Sequence, residues 1–330
     1  MKHIPASCAR HARRAVAAAV VTLTASAGAL GAFPALAHAA TAHPATAAAT
    51  NYTFAMLDDQ ADPTFNQLLG INNHNIISGY FGDGSVPLHP NKGYLLDPPY
   101  AQANYVNENF PGSVQTQVTG LNNLGDTSGF WANKANANNG FVEWNGVFET
   151  LNDPSLPHMT GAVDQLLGVN NSGIAVGFYN DAKSHSHAYK VNQATRAFSS
   201  IKVPGAVSAQ ATGINNHGDI VGFATTAAKD TFSWLLKGGH MTTYQFPGGS
   251  TTQAFGVNDN DQIVGTYLDA NGVQHGFTLK SPLGPVSQWQ SIDDPNGVGV
   301  TFVNGLNDAG DLVGFYCPSA TNCNGFLATP

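Results

Sequence analysis

A ten-residue pattern recurs six times along the chain with constant internal spacing. It opens on Gly, carries Asn two residues later and closes on a second Gly nine residues after the first. The opening glycines are Gly70, Gly120, Gly168, Gly213, Gly256 and Gly305, and the closing ones are Gly79, Gly129, Gly177, Gly222, Gly265 and Gly314. Opening glycines lie 50, 48, 45, 43 and 49 residues apart, so all length variation falls outside the core. Strand-like segments recurring at this period are the signature of a β-propeller, one sheet per repeat.

Within each core, Gly-[Ile, Leu or Val]-Asn ends one strand. The residue five after the opening Gly is Asn75, Gly125, Gly173, Gly218, Asp261 or Gly310. These types tolerate positive φ best, so a hairpin turns there. The second strand follows at once, as in Ile220-Val221-Gly222-Phe223, with the β-branched and aromatic residues of a sheet buried on both faces. A third strand recurs as Gly93-Tyr94-Leu95 through Gly325-Phe326-Leu327, and a fourth ends in a turn, usually at Pro. After its last third strand the chain stops at Pro330, and the missing fourth strand is found at Tyr52 to Asp59. The expected fold is therefore all-β: a six-bladed β-propeller of four-stranded blades, its ring closed by the N-terminal strand pairing with the last blade. Closure leaves only short, protected edges.

The propeller is expected to span residues 51–330. Residues 1–39 read as a secretory signal peptide: Lys2, Arg10, Arg13 and Arg14 precede an apolar run from Ala15 to Phe33, and Ala37-His38-Ala39 supplies a cleavage site. The run approaches bilayer-spanning length, but its Ala, Gly, Ser and Thr content favours removal. The Arg13-Arg14 pair leaves the general secretory and twin-arginine routes both open. Residues 40–50 form a flexible Ala- and Thr-rich lead. Four of the 13 Lys and Arg leave with the signal and none of the 21 Asp and Glu does, so the mature balance is −12. That charge disfavours nucleic acid and anionic membrane surfaces. Cys317 and Cys323, six residues apart, are expected to form a disulfide in an oxidising, extracellular setting.

Gly-Ile-Asn-Asn-x-Gly-Asp-Ile-Val-Gly-Phe, nearly verbatim at residues 213–223, precedes a His-Ala/Gly-Phe/Tyr tripeptide at His187-Ala188-Tyr189 and His275-Gly276-Phe277. In this the chain resembles the HAF family of extracellular repeats over nearly all of residues 51–330. The other four copies replace the tripeptide His by Lys92, Asn139, Asp230 or Asn324. The resemblance implies an extracellular repeat protein of bacterial type and no catalytic residues.

Candidate sites follow from chemistry. The six repeated Asn, from Asn72 to Asn307, either ring the central channel or bond their own turns, and retention beside divergent loops favours the turns. His187 and His275 are similarly expected to bridge turns. The loops between strands two and three and after strand four are expected to share one face, collecting His89, Asp153, His158, Asp181, His185, Asp293 and Asp294. Two such Asp 5 to 10 Å apart would suit a glycoside hydrolase or lyase. No nucleophile elbow, zinc-protease helix, P-loop or dinucleotide fingerprint accompanies them. Trp131, read as starting a loop beside the Asn-rich stretch Asn133 to Asn139, is a sugar-stacking candidate, whereas Trp144, Trp234 and Trp289 are expected on strands. Asp259, Asp261, Asp308 and Asp311 are weak calcium candidates; no other metal or cofactor is expected. The reading is a monomeric, non-catalytic extracellular module that binds a glycan or a cell-surface component, with the hydrolase or lyase as the alternative.

Overall fold

The computed structural model describes residues 50–280, 288–297, 299–319 and 322–330. The expected signal peptide (1–39) and all of the lead but Thr50 lie outside them. The described residues form an all-β architecture of four-stranded antiparallel sheets. Asn66–Ile71, Gln115–Leu121, Asp164–Val169, Ala206–Ile214, Thr251–Val257 and Thr301–Leu306 are the first strands. Each is followed by a second strand and then a third, as in Ile174–Asn180 and Ser186–Asn192. A shorter fourth, such as Ala197–Ser200, completes the sheet. A single parallel bridge, Thr231 to Thr251, joins the fourth sheet to the fifth. The last sheet takes its outer strand from Thr53–Met56, which pairs with Asn322–Thr329 from Thr53–Thr329 to Met56–Phe326.

All six turn residues expected at positive φ adopt it: Asn75, Gly125, Gly173, Gly218, Asp261 and Gly310 lie between 62° and 93°. The core lies between facing sheets. Val142 and Leu151 of the second repeat pack with Leu166 and Tyr189 of the third. Leu68, Ile77 and Tyr94 of the first meet Val313 and Leu327 of the last. Inner strands are buried on both faces, and every residue of Asp164–Val169 is buried.

The repeated glycines have distinct tertiary reasons. Every first strand carries a β-bulge whose extra residue directly precedes the opening Gly, for example between Leu166 and Gly168. The bulge lets neighbouring first strands meet at their glycines: a Cβ on Gly120 would lie 2.9 Å from Gly168 Cα, and one on Gly305 would lie 2.9 Å from Gly70 Cα. At the closing glycines, a Cβ would lie 1.9 to 2.3 Å from the carbonyl oxygen two residues before each bulged residue. Cys317 and Cys323 are disulfide-bonded. Cys323 N–H donates to Thr64 O and Cys317 N–H to Val300 O, so the bridged hairpin is fastened to two inter-sheet linkers.

Candidate functional site

The molecule offers two surfaces, set by which turns fall where. On the first lie the tight turns of the ten-residue cores. Asn170 Oδ1 accepts the N–H groups of Ser172 and Ile174, both at 3.1 Å, as the turn reading expects. Its Nδ2 also reaches across to the next repeat, donating to Asn215 O at 3.0 Å. The same donation runs from Asn72 to Asn122, Asn122 to Asn170, Asn215 to Asn258 and Asn258 to Asn307. Asn307 Nδ2 donates to Asn75 Oδ1 in the first repeat. One residue on, a second belt runs through Asn73, Asn123, Asn171, Asn216, Asp259 and Asp308. Each backbone N–H donates to the next side-chain oxygen, and Asp308 N–H returns to Asn73 Oδ1 at 2.9 Å. The turn reading of the repeated Asn holds, and the same side chain also bonds the neighbouring repeat, which neither reading had. Asn170→Ala should therefore cost about 3 kcal/mol, because two N–H donors of its own turn and the Asn215 carbonyl acceptor on the next repeat lose their partners. Thermal denaturation beside an exposed control in the same turn, Ser172→Ala, measures this; equal melting temperatures would contradict it.

Next to these turns is a cavity of about 110 Å³ lined by the bulges, among them Leu69, Thr119, Leu167, Thr212, Phe255 and Asn304. The polar members turn to backbone: Thr119 donates to Leu166 O, Thr212 to Ala254 O and Asn304 to Leu68 O. A smaller cavity of about 70 Å³ lies among the Asn belts.

The calcium candidates have protein partners. Asp259 accepts from Asn216, Asp308 from Asn73 and Asp259, Asp261 from Lys237, and Asp311 from Asn307. Among the described residues no group of three or more His, Cys, Asp or Glu is arranged to hold a metal ion.

The second surface carries the variable loops and most of the other candidates. Asp153 and Asp294 are 6% and 4% exposed, and each caps a turn, accepting the N–H of Ser155 and Asn296. Burial raises the Asp294 pKa despite that bond. His89 pairs with Asp62 at 2.7 Å. Burial pushes Asp62 up, but the Thr64 hydroxyl and the His89 imidazole outweigh it and hold its pKa below the usual range. Asp181 meets both His187 (3.1 Å) and His185 (3.5 Å). His275 sits between Asp293 (2.8 Å) and Asp269 (3.8 Å) and so bridges two turns, whereas His187 pairs within its own hairpin. His158 is exposed. Apart from the Asp181–His185 pair, no two of the ligand candidates share a hydrogen bond or ion pair among the described residues.

Trp131 needs correcting. It lies within the strand Thr127–Ala132, stacked on Phe110 at 4.5 Å with Nε1 donating to Thr150 Oγ1, and does not begin a loop. A run of strand residues ending in Asn-rich sequence looked like a loop edge because the hairpin turn sits later, at Asn136.

Three recurring features escaped the sequence reading. Gln stands three residues before the opening Gly in five copies, as at Gln67, Gln117 and Gln210, and bonds Tyr80, Asn91 and Ser186 respectively. Four residues after the closing Gly, Asp83, Asn133, Asp181, Thr226 and Asp269 cap the next loop. Both had a fixed-offset signal in the sequence. The third is an exchange in the linkers: Asp59, Phe110, Asp153, Phe246 and Asp294 occupy one structural position, each donating its N–H to a side chain on the next first strand.

No protein-family model matches the chain, and no characterised protein matches it by sequence. Solved structures do resemble it. TolB from Acinetobacter baumannii is 8% identical over 76% of this chain and 63% of its own, with a TM-score of 0.50. This chain thus spans less than two thirds of that one. AofleA from Arthrobotrys oligospora is 11% identical over 84% of this chain and 86% of its own, with a TM-score of 0.52. A lectin from Aleuria aurantia, solved with Fucα1-6GlcNAc, is 11% identical over 80% and 91%, with a TM-score of 0.49. At such identities the likeness speaks to fold alone: this is an all-β chain of β-propeller type.

Proposed function

We propose that this chain is a secreted six-bladed β-propeller of the HAF-repeat type, working as a monomeric, non-catalytic module that binds a glycan or another cell-surface component. Six blades and a closed ring are supported by two hydrogen-bond belts that start and end on the first repeat. The pairing of Thr53 with Thr329 supports closure by the N-terminal strand. Secretion rests on the residue pattern of 1–39 and accords with the Cys317–Cys323 disulfide.

One observation carries the binding reading. The loop-face His and Asp of the first, third and fifth repeats fall into separate sets: His89 with Asp62, His185 and His187 with Asp181, and His275 with Asp269 and Asp293. Two-carboxylate hydrolysis needs open space between the acids; between Asp269 and Asp293 the His275 imidazole fills it. Sets repeated around a ring suit recognition of repeated surface groups.

The test is a glycan array probed with residues 40–330, with and without EDTA. Binding that survives EDTA is expected, since the carboxylates at the core turns are taken up by protein donors. Binding lost in EDTA would overturn the metal-free form of the proposal. Silence across the array, with turnover of a polysaccharide by the same protein, would replace it by the hydrolase or lyase reading.

A further inference from the structure

The third and fifth repeats carry the same constellation in two states. Tyr179, Asp181 and His187 share their spacing with Tyr267, Asp269 and His275. Each His ring stacks on its Tyr ring at 5.1 Å, tilted 25° in the third repeat and 23° in the fifth. Each Asp fixes its loop in the same way, Oδ1 accepting the N–H groups two and four residues on.

In the fifth repeat the set is closed. Phe246 from the linker lies flat on Tyr267, with centroids 3.6 Å apart and planes 5° apart. The Tyr267 hydroxyl donates to Ser291 Oγ, and His275 Nδ1 pairs with Asp293. In the third repeat the linker position of Phe246 is taken by Asp153, whose N–H makes the equivalent bond, to Asp164, and whose Oδ1 caps Ser155. Among the described residues only His187 stacks on Tyr179. The Tyr179 hydroxyl, His185 Nε2 and His187 Nδ1 have no hydrogen-bond partner there. The His185 and His187 side chains are 43% and 44% exposed.

We propose that Tyr179, Asp181, His185 and His187 form a subsite for a neutral saccharide, an inference that rests on the binding reading above. Tyr179 is half-buried against the cluster of Leu151, Leu166 and Tyr189; its exposed part, with no linker phenylalanine over it, receives the C–H face of a sugar ring, whereas Phe246 covers the matching ring in the fifth repeat. A fixed carboxylate accepts from sugar hydroxyls, and two imidazoles donate or accept as their tautomers allow. Asp181 is an anionic acceptor throughout the physiological range. Slight burial pushes its pKa up, but the His185 N–H, the His187 imidazole and the Lys183 N–H bring it to about 2. The same charge, on a mature chain with one arginine, rejects anionic sugars.

The experiment uses immobilised neutral oligosaccharides ending in glucose, galactose, mannose or fucose, with sialylated counterparts, against residues 40–330. His187→Ala and Tyr179→Ala should each weaken binding to the neutral spots at least about tenfold, and His240→Ala, an exposed position opening the strand His240–Tyr244, should leave it within about twofold. His187 is exposed enough that its loss should spare folding, so it decides the matter where Tyr179→Ala unfolds; unchanged melting temperature accompanies the expected result. Wild-type binding matched by both variants would overturn the subsite while the binding-module reading stands. Binding confined to sialylated spots would overturn the neutral-sugar assignment. Silence of the wild type on every spot would overturn the subsite together with the glycan form of the binding reading.

Discussion

Gly177→Ala should destabilise the protein by about 4 kcal/mol or more, placing it among the most damaging single changes available. The added Cβ would lie 1.9 Å from Gln165 O and 2.9 Å from Leu166 Cα, both backbone atoms. No rotamer change relieves a clash with a carbonyl held by a bulge and paired on either side. Gly218→Ala makes the contrasting case. That glycine has φ +83° with nothing within 4 Å of a Cβ, so only left-handed strain of about 1 kcal/mol is expected. Denaturant midpoints of the two variants measure the difference. A Gly177→Ala midpoint as close to wild type as that of Gly218→Ala would show that the bulge carbonyl can move.

Asp164→Asn should change how stability depends on pH. Asp164 has no solvent exposure. Burial raises its pKa to about 7, against the partial opposition of the Tyr189 hydroxyl and the Asp153 N–H. A carboxyl raised in the folded state keeps its proton there while the unfolded chain releases it. Stability is therefore greatest below the unfolded pKa and falls as pH rises from about 4 to about 7. Roughly three pKa units correspond to a loss on the order of 4 kcal/mol at pH 8. Asn does not titrate, so the variant's stability relative to wild type should improve by that order between pH 4 and pH 8. A constant offset of about 1 kcal/mol is expected from the lost acceptor for Asp153 N–H. Asp58, raised by burial to about 6, and Glu108, raised by burial to about 7, tilt the wild-type profile the same way. Melting temperatures at pH 4, 6 and 8 measure the slope. Parallel profiles for wild type and variant would show that Asp164 titrates in the folded protein as it does unfolded.

The legible parts of this chain are those whose physics is local. A turn needing positive φ takes Asn, Asp or Gly, and the six residues at the fifth offset all adopt it. Two cysteines six apart in one hairpin can close a short loop, and they do. An Asn at a strand end bonds the N–H groups two and four residues on within its own turn. The illegible parts depend on what another repeat brings. The extra residue of each bulge looks like any strand residue until the register across the pair is known. Asp153 and Asp294 read as free acids on a loop face, yet the first strand of the following sheet turns them inward as caps. Trp131 read as a loop aromatic because Phe110, far back in the linker, was not visible as its stacking partner.

The sequence by itself determined the repeat, its phase, its turns and the strand order within a sheet, because each depends on φ preference and alternation over a few residues. Only the tertiary structure decided which glycines are pressed against carbonyls, which amides bond across repeats and which aromatic ring a linker phenylalanine covers. Those are contacts between separate segments, across a bulge, from a linker to the sheet that follows it or from one repeat to the next, and they depend on how sheets pack face to face.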